Sequence, residues 1–317
     1  MARINQVEWL EALVALDEHG TFTRAARALH VAQSRVSARV ADLERALGQQ
    51  LIDRSRRPVA FTDSGMAFLP HARAVLTALE SACDDLDAFS EDARGHVVLG
   101  THPSISAGFM PSVLSEFVQV HPNVSVDLTE RTAAQLLVAL QEGTVDLAIL
   151  AETNEAPPSS LTRTPLWGEP YAFVVRDDHP LARESSPVDP VTLFNQPLIG
   201  ISPPGGQLEP ELIRLSARWN TATPHLAWRT EQPQTLVNLV REGLGVGVVN
   251  HLAFLTSEHH DVVKLLVAGD PKARMVGIWR DSNRHQSVAM QVLARFIQEF
   301  PTPEGTIPLA PEDIGSD

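Results

Sequence analysis

The sequence is short of several residue types, and each shortage excludes a class of protein. Its 317 residues include one cysteine, Cys83, which excludes an internal disulfide and favours a reducing compartment. No apolar run approaches the roughly 18 residues that a membrane-spanning helix needs. The N-terminus carries Glu8, Glu11 and Asp17 where a secretory signal has a basic and then an apolar segment, which predicts a cytoplasmic protein.

Patterns for metal binding and catalysis are also missing. The histidines, including the pair His259 and His260, show no His-x-x-x-His spacing, so we expect no metal site. The stretch 202–206 has neither the Gly-x-Ser-x-Gly pattern of a nucleophile elbow nor the Gly-Lys-Ser/Thr of a phosphate-binding loop. We therefore expect neither an enzyme nor a cofactor.

The stretch from Thr21 to Leu47 has the pattern of two helices joined by a short turn. Small apolar residues recur at helical spacing before a break at 29–32, and Val36, Val40 and Leu43 recur after it. Two helices with so short a break are typical of a helix-turn-helix, whose second helix reads bases in the major groove.

Polar and basic residues on these helices, and an arginine cluster beyond them, are candidates for DNA contact. Their hydroxyl, amide and guanidinium groups can bond base edges and phosphates. The candidates are Thr23, Arg24, Gln33, Ser34, Arg35, Ser37, Arg39, Arg54, Arg56 and Arg57. Taken alone, the second helix could equally be an ordinary solvated surface helix.

The neighbouring sequence favours the DNA-binding alternative. A short extended run at 58–61 follows the arginine cluster, which predicts a basic hairpin, or wing, beside the helix pair. The segment from Arg24 to Arg57 holds eight arginines and three acidic residues, in a chain whose net charge is −14. A basic island in an acidic chain indicates the surface where a polyanion docks.

Residues 63–90 predict a long helix after this unit, with Thr62 as its N-cap. Apolar residues alternate by four and three, and this period of 3.5 is typical of a coiled-coil seam that joins two copies. The seam residues are Phe68, Ala72, Val75, Leu79, Ala82, Leu86 and Phe89. The alternative is an amphipathic helix that packs on its own domain. Cys83, beside the seam, is interpreted as a packing residue.

Beyond a hinge near residue 90, strands alternate with helices, which predicts a two-lobed α/β domain over 91–300. The predicted strands are 96–99, 124–128, 145–150, 172–175, 197–201, 245–249 and 275–279, and the predicted helices 110–120, 133–141, 236–242 and 288–300. We assign lobe I to about 95–165 and 266–300, and lobe II to about 166–265. The tail, 301–317, is rich in proline and acidic residues and is predicted to be disordered.

Residues 4–89 resemble the N-terminal part of LysR-type transcriptional regulators. The matching pieces occur in order at 20–26, 29–34, 36–37, 43–44, 47–48, 51–54 and 61–65. Residues 95–300 resemble the family's effector domain more weakly, best at 137–150 and 240–249. Three positions depart from the family pattern: Ala32 replaces a capping serine, Ala38 replaces an arginine, and Asn250 replaces a proline.

The resemblance implies an α+β multidomain protein: a winged helix-turn-helix at 1–62, a linker and dimerisation helix at 63–90, and a periplasmic-binding-protein-like effector domain at 91–300. It implies a sequence-specific DNA-binding regulator whose activity a small molecule modulates. The chain would associate with itself as a dimer or tetramer and contact RNA polymerase. One alternative is a small-molecule-binding protein whose N-terminal unit only oligomerises.

The effector of such a fold binds between the lobes, where strands end and helices begin. Hydroxyls, amides and an arginine at these points suit a small carboxylate or polar metabolite. The candidates are Thr101, His102, Pro103, Ser104, Arg131, Thr132, Ser202, Gln232, Gln234 and Thr235. The alternative for each is an ordinary cap or turn residue.

Overall fold

The computed structural model describes residues 4–53, 59–87, 93–152, 156–184, 186–202, 210–268 and 274–309. The N-terminal unit comprises α1 (Glu8–His19), α2 (Phe22–Ala28), α3 (Gln33–Leu47), β1 (Ile52–Asp53), β2 (Ala60–Phe61) and α4 (Asp63–Asp87). The predicted helix pair and its turn are therefore confirmed.

The buried stripe of α3 builds the core of this unit. Val36, Val40 and Leu43 are fully buried against α1 and α2, and each such side chain contributes about 1.5–3 kcal/mol. Strands β1 and β2 pair antiparallel, so the wing is also confirmed at its base. Gly65 brings α4 against that base, because a Cβ there would lie 2.1 Å from the Leu51 carbonyl oxygen.

One residue of the predicted coiled-coil seam belongs instead to the N-terminal core. Ala72 is fully buried there, so the prediction that it faces a second copy is wrong. Phe68 is partly buried against the same cluster, and its place in the seam stays a prediction. Val75 and Leu79, farther along α4, are exposed. The side chains of Ala82, Cys83 and Leu86, and all of Phe89, lie outside the described residues.

Two lobes follow. The first run of elements is β3 (Gly95–Thr101), α5 (Pro103–Gly108), α6 (Met110–Val120), β4 (Val124–Glu130), α7 (Ala133–Glu142), β5 (Leu147–Ala151) and β6 (Leu161–Glu169). The second is β7 (Tyr171–Arg176), a 3-10 turn (Pro180–Arg183), α8 (Pro190–Phe194), β8 (Leu198–Ile201), α9 (Pro210–Arg218), β9 (Leu226–Thr230), α10 (Pro233–Arg241), β10 (Val246–Asn250), α11 (His251–Leu255) and β11 (Val262–Lys264). The chain then returns through β12 (Arg274–Asp281), α12 (Val288–Glu299) and β13 (Ile307–Pro308).

The lobes are two separate mixed sheets. Lobe I has the strand order β13-β6-β12-β5-β3-β4 and lobe II the order β11-β7-β10-β8-β9. Strand β6 lies wholly in the lobe I sheet, so the crossover falls at Pro170, a few residues after the predicted boundary near 165. A bridge between Val188 and Val267 likewise extends lobe II past the predicted 265.

The described part of the tail, 301–309, corrects the prediction of disorder. Ile307 and Pro308 pair with Gly168 and Trp167 of β6. His251 lies 3.0 Å through Nε2 from the Glu304 carbonyl oxygen. A strand partner and a side-chain contact thus hold a segment whose composition alone predicted neither. None of the described helices is long and apolar enough to cross a bilayer.

Candidate functional site

The outer face of α3 presents the predicted DNA-reading residues. The helix begins after Ala32, which has extended backbone and forms no side-chain cap. Gln33, Ser34 and Arg35, in the first turn, are all exposed. In a helix-turn-helix the N-terminal residues of the second helix meet the base edges, so these three are placed for that role.

Helix α2 supports this face. The Arg24 backbone N–H donates to Thr21 Oγ1 at 3.2 Å, so Thr21 is the N-cap of α2. Thr23 and Arg24 are exposed, and an exposed hydroxyl and guanidinium beside the second helix suit phosphate contact.

Arg39 does not belong to the exposed face. Its side chain is only 17% exposed and its Nη1 lies 4.0 Å from Glu11 Oε2 on α1. Ser37 is half-buried. The packing of α3 turns this position toward α1, so Arg39 is less accessible than the residues of the first turn, and its assignment to DNA contact stays a prediction. Arg54, Arg56 and Arg57 lie outside the described residues.

Glu44 positions the wing, a role that the sequence reasoning missed. Its Oε1 accepts from the Leu51 N–H at 2.9 Å and from the Ile52 N–H at 3.1 Å. These bonds tie the first strand of the wing to α3. The one sequence signal for this role was the match of Leu43-Glu44 to the family pattern, which does not indicate what the Glu44 side chain would bind.

The two lobes meet where strands of their sheets end. Helix α5 follows β3 and helix α11 follows β10, and the two helices contact each other. The contact is close at Gly108, where a Cβ would lie 2.9 Å from Thr256 Cγ2. The carboxyl ends of the two sheets therefore face each other, as the predicted effector site requires.

On the lobe I side, the predicted residues are largely enclosed. Thr101 is fully buried and its Oγ1 lies 2.5 Å from Ser106 Oγ, while Ser104 is buried as well. Burial and the nearby Arg274 cation lower the pKa of His102 to about 3. His102 is therefore neutral near pH 7 and supplies no positive charge. Pro103 opens α5 at a position that suits proline.

On the lobe II side, Ser202 has a cationic neighbour that the sequence reasoning missed. Arg229 Nη1 donates to Ser202 Oγ at 3.3 Å, and Ser202 is buried. Both residues stand near the carboxyl ends of adjacent parallel strands, β8 and β9. Arg229 was overlooked because β9, a short strand with exposed members, was not predicted.

Two other candidates hydrogen-bond the backbone of the domain itself, as expected if they are ordinary cap or turn residues. Thr132 and Gln135 form a reciprocal capping box at the start of α7. The Gln234 side chain donates to the Glu258 carbonyl and accepts from the Glu258 N–H. These bonds show that Thr132 and Gln234 already hydrogen-bond the backbone, and their assignment to effector binding stays a prediction. Arg131, Gln232 and Thr235 are exposed.

A buried ion pair lies at the crossover between the lobes. Glu169 is fully buried, and its Oε2 accepts from Arg274 Nε at 2.9 Å and Nη2 at 2.7 Å. Its Oε1 accepts from the Leu252 N–H at 2.9 Å. Asn250, which stands where the family has a proline, caps α11 by accepting from the Ala253 N–H. The start of α11 is thereby tied to both lobes.

Comparisons with known proteins agree with this architecture. Residues 7–66 match the family described as bacterial regulatory helix-turn-helix protein, lysR family, and residues 90–301 match the LysR substrate binding domain. The chain is 32% identical over 295 residues to the uncharacterized HTH-type transcriptional regulator YvbU of Bacillus subtilis, covering 92% of this chain and 97% of that one.

Two further similarities extend over nearly the whole chain. The DNA-binding transcriptional dual regulator OxyR of Escherichia coli is 29% identical over 298 residues, which are 92% of this chain and 96% of OxyR. A full-length OxyR structure from Pseudomonas aeruginosa, with a cysteine replaced by aspartate, superposes with a TM-score of 0.76 at 22% identity. That match covers 98% of this chain and 100% of the other and shows a common fold.

Proposed function

The chain belongs to the LysR family of transcriptional regulators, and we propose that it reads operator DNA through Gln33, Ser34 and Arg35 while a small anionic metabolite acts at Ser202 and Arg229. The observation that carries the DNA half is the exposed first turn of α3 beside exposed Thr23 and Arg24. A small-molecule-binding protein whose N-terminal unit only oligomerises would not need these side chains. RNA polymerase is a further partner we propose from the family alone.

DNA binding is tested by mobility shift of the full chain on the region upstream of its own gene. Affinity should fall steeply as salt rises, because arginine contacts with phosphate release counterions. Gln33→Ala should weaken binding to the operator more than to random duplex, whereas Arg54→Ala should weaken both equally. An equal loss on both DNAs for Gln33→Ala would remove it from base reading.

We propose that two copies associate through Val75 and Leu79. Both are exposed apolar residues four apart on α4, 51% and 46% exposed respectively, and stand on one face of the helix. Leu79→Asp should halve the mass measured by light scattering. Met66→Asp is the matched control, because Met66 is also exposed on α4 but faces another side. An unchanged mass for Leu79→Asp contradicts the seam.

For the effector, the charge argument favours an anion. His102 is neutral and contributes no positive charge. Arg229, at the lobe II strand ends, is a cation next to the Ser202 hydroxyl, and guanidinium and hydroxyl groups together suit a carboxylate. Thermal-shift assays with a panel of small carboxylates, each paired with its neutral amide, test this proposal. A bound carboxylate should raise the melting temperature, and Arg229→Gln should abolish the rise. Amides that stabilise equally well contradict it.

Some relatives are named hydrogen peroxide-inducible genes activators, but we propose that this chain does not sense peroxide through a disulfide within its effector domain. Its one cysteine, Cys83, lies in α4, so residues 93–309 contain no thiol. Peroxide should leave operator affinity unchanged. A peroxide-dependent change in affinity, or a covalent dimer on a non-reducing gel, would show that Cys83 responds.

A further inference from the structure

Ala38 occupies the middle of the DNA-reading face. It is exposed and lies four residues after Ser34 and three after Arg35, so all three side chains stand on one side of α3. Val36 and Val40, on either side of it, are fully buried in the core. The first two turns of the helix thus turn a methyl group outward between polar neighbours.

The methyl group of Ala38 is open to solvent. Arg39, the next residue, is turned to Glu11 on α1. Within residues 33–40, all of which the structure describes, Arg35 is the exposed cation. The helix can therefore approach the base edges closely at Ala38, and what it presents there can neither donate nor accept a hydrogen bond.

A major groove offers one apolar feature, the C5-methyl group of thymine, among its donors and acceptors. A base edge with a donor or acceptor facing Ala38 would lose its water without gaining a partner, which is unfavourable. We propose that Ala38 contacts a thymine methyl group in each half-site and so selects an A·T pair at that position. The proposal takes the DNA-reading role of α3 as given and assigns one base to one side chain.

The test begins with the half-site that the full-length protein selects from random duplexes. Each thymine in it is then replaced by deoxyuridine, which removes only the methyl group. Replacement of the contacted thymine in one half-site should lower the affinity about fourfold, the factor expected when one methyl group is no longer buried. In the A38G variant, thymine and uracil at that position should bind equally well.

A46G is the matched control. Ala46 lies in the last turn of the same helix, so its replacement carries a similar loss of helix propensity without touching the reading face. A46G should keep the fourfold preference for thymine. A second measurement needs no variant: 5-methylcytosine at the sensitive position should bind the wild-type protein more tightly than cytosine, by a similar factor.

Two results would overturn the assignment of Ala38. One is a half-site in which no thymine responds to removal of its methyl group, although the protein binds it specifically. The other is a thymine preference that A38G retains in full. If the protein binds no DNA specifically, no half-site emerges from the selection, and that outcome counts against the DNA-reading function itself.

Discussion

The DNA-reading helix and the inter-lobe cleft carry similar side chains but use them differently. On α3, Gln33, Ser34 and Arg35 are exposed after an N-cap, Ala32, that has no polar side chain. In the effector domain, Thr132 caps its own helix and Gln234 binds a loop backbone. A polar residue at the start of a helix therefore becomes a candidate for binding a ligand only once its own hydrogen bonds to the backbone have been identified.

Loss of the Glu169 carboxylate should produce the largest effect, and it would be confined to the effector domain. Glu169→Ala leaves buried Arg274 without this partner and removes the acceptor of the Leu252 N–H. We expect a loss of about 3–5 kcal/mol in the stability of this domain, measured by urea unfolding. Glu169→Gln, which keeps one acceptor, should lose less. A Glu169→Gln variant as stable as the wild-type protein would contradict a role for the charge.

Acid should weaken the effector domain through His102. Its folded pKa, about 3, lies below its ordinary value of 6.5, so below pH 6.5 the unfolded chain binds a proton that the folded chain does not. Stability should therefore fall as the pH drops, by about 2 kcal/mol between pH 7 and pH 5. His102→Asn should flatten this part of the pH profile. An unchanged slope would show that other groups cause it.

A smaller effect is expected on the DNA-binding side. Glu44→Ala removes the acceptor of two N–H groups on the first strand of the wing and should cost about 1–2 kcal/mol. Under the proposal that the wing contacts phosphates and no bases, the affinity should fall by a similar factor for operator and random DNA. A selective loss on the operator would place Glu44 in base reading.

The smallest expected change distinguishes capping from ligand binding in the cleft. Thr132→Ala should lower stability by about 1 kcal/mol, the usual value of an N-cap. The melting-temperature rise given by a stabilising carboxylate should persist in this variant and disappear in Arg229→Gln. If Thr132→Ala also abolishes the rise, then Thr132 contacts the effector in addition to capping α7.

The elements predicted well are those whose signals are local. Helix α3 is defined by the spacing of Val36, Val40 and Leu43, and β10 by an apolar run. Strand β6 was missed because Pro165 and Gly168 are typical of loops. In the structure, the pairing of β6 with β12 shifts register beside Pro165, and this irregularity accommodates the proline. The ordered segment at 301–309 was missed because its stability comes from β6, far away in the sequence.

The sequence by itself determined the class of the protein, its regulator architecture and the exposed first turn of α3, because helical periodicity and family motifs are encoded over short spans. Only the tertiary structure decided which of its polar residues already form hydrogen bonds or ion pairs within the chain. It turned Arg39 toward Glu11, buried Ala72 in the N-terminal core and placed Arg229 beside Ser202. Each of these contacts joins residues distant in the chain, and such contacts depend on how the elements pack.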